Sequence, residues 1–154
     1  FEIEDTLYEE EAYQGEGNIN VDPCFADPEN RDYHLRSEAG RWKTESKTWI
    51  KDDVTSPCID AGDPNSDWSE ELWPRGDRIN MGAYGGTPQA SMSLSAPGNI
   101  ADFNSDAAVD TKDLLILADM WLTQDILLPE DISRDGLVNF HDFALLAENW
   151  LWKK

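Results

Sequence analysis

Two segments of this chain repeat each other at a fixed offset, and that duplication limits the fold more than any other feature. DFNSDAAVDTKDLLILADMWL runs from Asp102 to Leu122 and DISRDGLVNFHDFALLAENWL from Asp131 to Leu151, 29 residues apart throughout and without a gap. In the first, Asp102, Asn104, Asp106, the carbonyl of Ala108, Asp110 and Asp113 take positions 1, 3, 5, 7, 9 and 12 of a twelve-residue loop. In the second the same positions fall to Asp131, Ser133, Asp135, the carbonyl of Leu137, Asn139 and Asp142. Oxygens at alternate positions, with a closing carboxylate at the twelfth, are the spacing by which a chain wraps a hard cation. Two loops in register predict two calcium ions; magnesium fits poorly, because it keeps its waters and demands a tight octahedron.

Each loop carries one imperfection. The sixth position wants a left-handed turn, which Gly136 supplies in the second loop, whereas Ala107 in the first costs roughly 1–2 kcal/mol there. Four carboxylates in the first loop against three in the second compensate. After each loop the apolar residues Leu114, Leu117, Ala118 and Trp121, matched by Phe143, Leu146, Ala147 and Trp150, recur at helical spacing. They predict two helices whose apolar faces pack together about a pseudo-two-fold, with both tryptophans in the core.

What precedes the loops matters as much. Ser95-Ala96-Pro97-Gly98 cannot be an entering helix, and the stretch from Thr123 ends in Pro129-Glu130. Composition changes over Ser91 to Gly98, a Ser/Pro/Gly stretch that reads as a linker. Before it lie short β-like runs bounded by turn residues: Asn18–Val21, Cys24–Ala26, Tyr33–Arg36, Pro57–Asp60 and Ile79–Tyr84. Prolines at 23, 28, 57, 64, 74 and 88 exclude a helix of ordinary length there. Between Gly40 and Asp53, large and polar residues alternate with Trp42 and Trp49 placed symmetrically, which predicts a hairpin with a cross-strand pair. A sugar-stacking platform is the sharper reading of the same two rings.

The formal charge is -20, with 21 acids and 8 bases up to Ser93 and 11 and 4 beyond it. Such a surface disfavours nucleic acid, whose binding rests on Lys and Arg neutralising phosphates. No apolar run approaches the roughly 20 residues that span a bilayer. Phe1 starts the chain in mid-pattern, so we expect a C-terminal fragment of something longer. Cys24 and Cys58 are either one disulfide or two buried thiols, without the neighbours a zinc site needs. Arg75-Gly76-Asp77 spells an adhesion tripeptide but reads as a turn, and Asp60, Asp63 and Asp67 read as turn-setting rather than catalytic acids.

Two family resemblances emerge from these residues. GNINVDPCFADPENRDYHLRSEAG, TSPCIDAGDP and RGDRINMGAYGGTPQAS, in this order over about residues 15–92, resemble the closing coils of secreted right-handed parallel β-helix proteins. Loop then helix, twice, without entering helices, over about residues 99–152, resembles a type I dockerin, the calcium-dependent module that docks secreted polysaccharide-active proteins onto cohesin receptors. Together they imply an α+β chain: all-β terminal coils at 1–92, a linker at 93–98, and a small α-helical module at 99–154 with two calcium loop–helix (F-hand) repeats of EF-hand-like spacing. By the same resemblance the residue pairs before each closing carboxylate, Thr111-Lys112 and Phe140-His141, face the receptor. They depart from the small hydroxyl pair usual in that family, which puts the receptor's identity in doubt.

The function expected is therefore a non-catalytic, calcium-dependent attachment module with a cohesin-like protein partner, extracellular or cell-surface, with possible polysaccharide contact through the β part. The rivals are a fragment of a polysaccharide lyase or hydrolase whose site lies upstream, and a calcium-stabilised tail that binds its own β-helix.

Overall fold

The computed structural model describes residues 17–154. Its strands are short and lie early: β1 Phe25–Asp27, β2 Asp32–Leu35, β3 Arg41–Lys43 and β4 Thr48–Ile50. β1 and β2 form one antiparallel pair, β3 and β4 another. The first is closed by the 3₁₀ turn Pro28–Asn30, where Asp27 accepts the Asn30 amide and Pro28 brings a preset φ to the first helical position. In the second, Trp42 sits opposite Trp49 with ring centroids 5.5 Å apart. Trp42 is buried and Trp49 half-buried, so the rings cover the interior instead of forming a stacking platform.

This architecture corrects the expected fold class. Among the described residues both sheets are two-stranded and antiparallel, and no parallel β-helix coil is present. Asn18–Val21, Pro57–Asp60 and Ile79–Tyr84 form no strand. The expected coils from residues 1 to 16 lie outside the described residues.

From Lys51 onward the chain runs in turns, and side chains do what a sheet ladder would do. Glu71 accepts the amides of Asn80 (2.9 Å) and Gly86 (2.8 Å) on one oxygen. Asp60, at φ +56, accepts the Gly76 amide and the Ser93 hydroxyl. Ser91 and Ser37 donate to the carbonyls of Leu35 and Met92. Arg41 forks onto Asp52 through Nε and Nη2 and reaches Asp32 through Nη1. His34, stacked on Tyr84 at 3.6 Å, shares its Nδ1 with Asp32 at 2.5 Å. Burial pushes the Glu71 carboxyl above its usual range, the two amides only partly opposing it. Cys24 and Cys58 are free thiols.

The second part is built by duplication. Helix α1, Thr111–Asp119, and helix α2, Phe140–Glu148, each follow a loop. Positive φ recurs at the 29-residue offset: Ser105 and Arg134, Ala107 and Gly136, Leu122 and Leu151. So do the bonds that join the halves. Leu122 donates to the Val138 carbonyl and Leu151 to that of Val109; Val138 donates to Thr123 and Val109 to Trp152. Between them lies one apolar cluster of Ala101, Val109, Leu117, Ile132, Val138 and Leu146.

This cluster differs from the expected one. Of the helix residues assigned to the core only Leu117 and Leu146 are fully buried, while Ala118, Ala147, Phe143 and Trp150 are exposed and Trp121 is half-buried. Each helix has two and a half turns, so only one residue per helix reaches the pseudo-axis, and the loop valines fill the rest. No helix of the described residues is long and apolar enough to cross a membrane.

The two parts meet along a seam. Arg75 donates to the Ser105 hydroxyl at 3.0 Å, Arg134 to the Trp73 carbonyl at 3.2 Å, and Lys154 lies 3.7 Å from Asp77. Arg75 and Asp77 of the adhesion-like tripeptide are thus seam residues. Asp63 and Asp67 accept nearby amides, from Asn65 and Ser69, as turn-setting acids do.

Candidate functional site

The loop residues are drawn together as the spacing expects, but toward the backbone. Asp102 accepts the amides of Asp106 (3.1 Å) and Ala107 (3.0 Å) on its two oxygens. Its counterpart Asp131 accepts those of Asp135 (3.1 Å) and Gly136 (2.8 Å). At the twelfth position Asp113 takes the Phe103 amide on one oxygen and the Asp110 amide on the other. Asp142 does the same with Ser133 and Asn139. Asp113, Asp131 and Asp142 are fully buried, each satisfied by N–H groups.

The ninth position is the helix N-cap in both units. Asp110 accepts the Lys112 amide and Asn139 the His141 amide, and each pairs with the carboxylate three residues on in a capping box. Positions 9 and 12 therefore supply helix starts, with acids favoured by the helix dipole. Asn104 accepts the Asp106 amide, and Ser133 donates to Asp131 at 3.3 Å. Asp106 and Asp135 turn back to the amides of Ala108 and Leu137. The Leu137 carbonyl is taken by the Asn139 side chain, and Ala108 lies in an antiparallel bridge with Lys153.

This overturns the EF-hand-like, metal-binding description. Among the described residues no group of three or more His, Cys, Asp or Glu stands where it could hold a metal ion. Neither loop has an entering helix, so no EF-hand-like helix pair forms. The donor set is all oxygen, as calcium requires, but its carboxylates do not converge. The physical reason is that one spacing satisfies two demands: oxygens at alternate positions meet a cation or the loop's own amides equally well.

The expected partner residues divide by chemistry. Lys112 folds onto loop one with its ammonium 2.5 Å from Asp106, a bond that holds the Asp106 carboxyl below its usual range and raises the lysine. Thr111 is exposed and unremarkable in its surroundings. His141 is exposed, 3.8 Å from Asp135. Phe140 is 77% exposed yet anchored, its ring edge-on to Trp121 at 5.0 Å. Leu122 and Leu115 are also exposed large apolar residues of this part.

Sequence reasoning missed Arg134, which is the fourth residue of loop two. It spans the seam from the Leu128 carbonyl to that of Trp73, and burial lowers its pKa. It missed Glu130 as well, which stands where the first unit has the fully buried Ala101. Burial raises the Glu130 carboxyl, and its Oε2 has no partner among the described residues. An Arg or Glu beside an acidic loop carries no periodic signal that would single it out.

Known families touch the other end of the chain. The family described as "Disaggregatase related" matches residues 7–62, a little over a third of the chain, and the described part of that match holds both hairpins. No curated protein and no solved structure matches. The match overturns both resemblances: it overlaps the segment likened to β-helix coils but names a different family, and that family is not a dockerin.

Proposed function

We propose that this chain is a non-catalytic attachment module that docks onto a protein receptor through the outer face of its C-terminal loop–helix pair. The observation that carries the reading is Phe140, a large aromatic left exposed at a helix start and steadied by Trp121. A ring so held loses little entropy on burial, and aromatics are over-represented among binding hot spots. Its duplicate position is the polar Thr111, so one of the two pseudo-symmetric docking orientations dominates.

The non-catalytic character is supported by the surroundings of the best base and orienting pair in the described residues. His34 and Asp32 are hydrogen-bonded, but His34 is 1% exposed and covered by Tyr84, out of reach of a substrate. Cleavage of any polysaccharide by the purified chain would overturn this part.

The test is binding of the full chain to a set of cohesin-like receptor proteins. Phe140→Ala should weaken binding by more than about 1 kcal/mol and Thr111→Ala should do little. Equal losses from both would sink the docking geometry. A second reading, a structural tail serving its own N-terminal part, is favoured by the seam bonds of Arg75 and Arg134. It expects no receptor to bind, with Arg134→Ala loosening the chain itself.

A further inference from the structure

The seam encloses a cleft that none of the preceding functions uses. Trp68 and Trp73 line it from the first part and Trp152 from the last residues, three of the seven tryptophans in the chain. Its enclosed space is about 90 Å³, opening to about 430 Å³ with the mouth included. The inner part admits about three waters or the edge of a small ring, so a whole ring would sit half in the mouth.

The polar groups around these aromatics are balanced. Arg75 lies 5.1 Å over the Trp68 ring and is tied down by the carbonyls of Ser69 and Glu71 and the hydroxyl of Ser105. It fixes one wall. At the rim, Lys154 and Asp77 stand 3.7 Å apart, beyond hydrogen-bond length, and both side chains are more than half exposed. Each therefore keeps free capacity, the ammonium as donor and the carboxylate as acceptor. Asp102 also lines the cleft. Two cations and two anions leave no net charge to select an ion, and a chain of net charge -20 repels anions at long range.

Aromatic walls, a few fixed polar groups and partial enclosure are the features of a small-molecule site. A neutral sugar ring matches this one in detail: its C–H faces lie flat on indole, and its hydroxyls, each donor and acceptor, suit an alternating Lys and Asp rim. We propose that the cleft between Trp68, Trp73 and Trp152 binds a single neutral hexopyranosyl unit of an oligosaccharide. The site draws on residues of both parts and is formed only while the seam is closed. It is independent of the docking face at Phe140.

The test uses the full chain with cellotetraose, mannotetraose and galactotetraose as neutral probes and tetragalacturonate as the acidic one, followed by calorimetry and by indole N–H signals in NMR. At least one neutral probe should bind, shifting the Trp68, Trp73 and Trp152 indoles while leaving Trp42 and Trp49 still. Trp68→Ala should weaken that binding by about tenfold or more. Asp77→Ala and Lys154→Ala, both at exposed positions, should each weaken it and keep the test readable if Trp68→Ala fails to fold. Absence of binding by all three neutral probes at about 10 mM, tighter binding of the acidic probe, or shifts confined to Trp42 and Trp49 would overturn the proposal.

Discussion

Between His34 and Ser93 the interior is organised by His34, Ser37, Arg41, Ser56, Glu71, Asn80, Ser91 and Ser93, all buried and all hydrogen-bonded. Beyond Asn99 the centre is a single cluster of aliphatic side chains, two of them supplied by the helices and the rest by loops, with the buried Asp113, Asp131 and Asp142 holding loop amides around it. The same chain thus holds irregular backbone in two ways. Directional polar bonds fix turns one at a time, and each depends on one particular residue and, where a carboxylate makes it, on that group's protonation. Apolar burial is non-directional, tolerates exchange of like for like, and is indifferent to pH. The two parts should therefore fail differently.

The largest effect is expected in the apolar part. Leu146 is fully buried at the pseudo-axis against Leu117 and the loop valines, and truncating such a leucine typically costs about 2–5 kcal/mol. Leu146→Ala should bring the loss of helical circular dichroism to a markedly lower urea concentration. A cost under about 1 kcal/mol would mean that the cluster is not what holds the helices.

Next comes the polar part. Glu71→Ala would leave the Asn80 and Gly86 amides without an acceptor in a dry interior, at about 1–3 kcal/mol for each orphaned donor. Glu71→Gln keeps an acceptor oxygen and so separates bond from charge. Because burial raises the folded pKa of Glu71, its neutral form is the one the fold prefers. Its contribution is fully present below the ordinary glutamate pKa and is lost as pH rises through the raised folded value. Glu130 behaves alike, for the same main reason, burial. Asp52 runs the other way. Burial pushes it up, but the Arg41 bond and the Ser37 amide together hold it below its usual range, so its contribution is lost as pH falls through that lowered value. Stability should peak in mildly acid solution, and Glu71→Gln should flatten the decline on the alkaline side. An unchanged pH profile would remove Glu71 from the account.

The contrast also explains what could be read in the sequence. The hairpin was legible because Trp42 and Trp49 alternate with polar residues at strand period, and they do pair. The duplication was legible because every loop position recurs, and its backbone follows down to the paired positive φ values. What the loop oxygens face was not legible: the side-chain oxygens at positions 1, 9 and 12 have the same spacing whether they meet a cation or amides, and here they meet amides. Nor was the middle of the chain. Asp60, Glu71 and Asn80 act at separations of 9–33 residues through side chains, without periodicity, and motif likeness there suggested solenoid coils that do not form. The helix cores were overread because a helical stripe was taken to be buried along its whole length, although α1 and α2 are nine residues each.

Where the two kinds of interior meet, the expected effect is smaller. Arg134 belongs to loop two but spends a hydrogen bond on the Trp73 carbonyl across the seam and another on Leu128. Arg134→Ala should cost about 1–2 kcal/mol, since both carbonyls lose a charged donor yet the loop turn itself stays. Arg134→Lys should recover only part of this, as a single ammonium cannot span both carbonyls. Amide exchange near Trp73 that is unaffected by Arg134→Ala would show that the parts are not coupled through this residue.

The smallest effect lies within the duplication and isolates its one backbone inconsistency. Ala107 and Gly136 hold equivalent sixth positions at φ +66 and +88. Nothing lies within 4 Å of a Cβ built on Gly136, so a side chain there meets open space, and backbone strain is the whole difference between the two residues. Left-handed backbone costs an L-residue roughly 1 kcal/mol, partly offset by the extra freedom glycine has in the unfolded chain. Ala107→Gly should therefore stabilise the chain by a few tenths to about 1 kcal/mol, and Gly136→Ala should destabilise it by a similar amount. The Ala107 amide still reaches Asp102 in the glycine variant, because the bond is made by backbone. Changes of opposite sign and comparable size in the two urea midpoints would establish that the loops are conformationally equivalent despite their different sequences. A destabilising Ala107→Gly would mean that the alanine methyl makes a contact in loop one that loop two lacks.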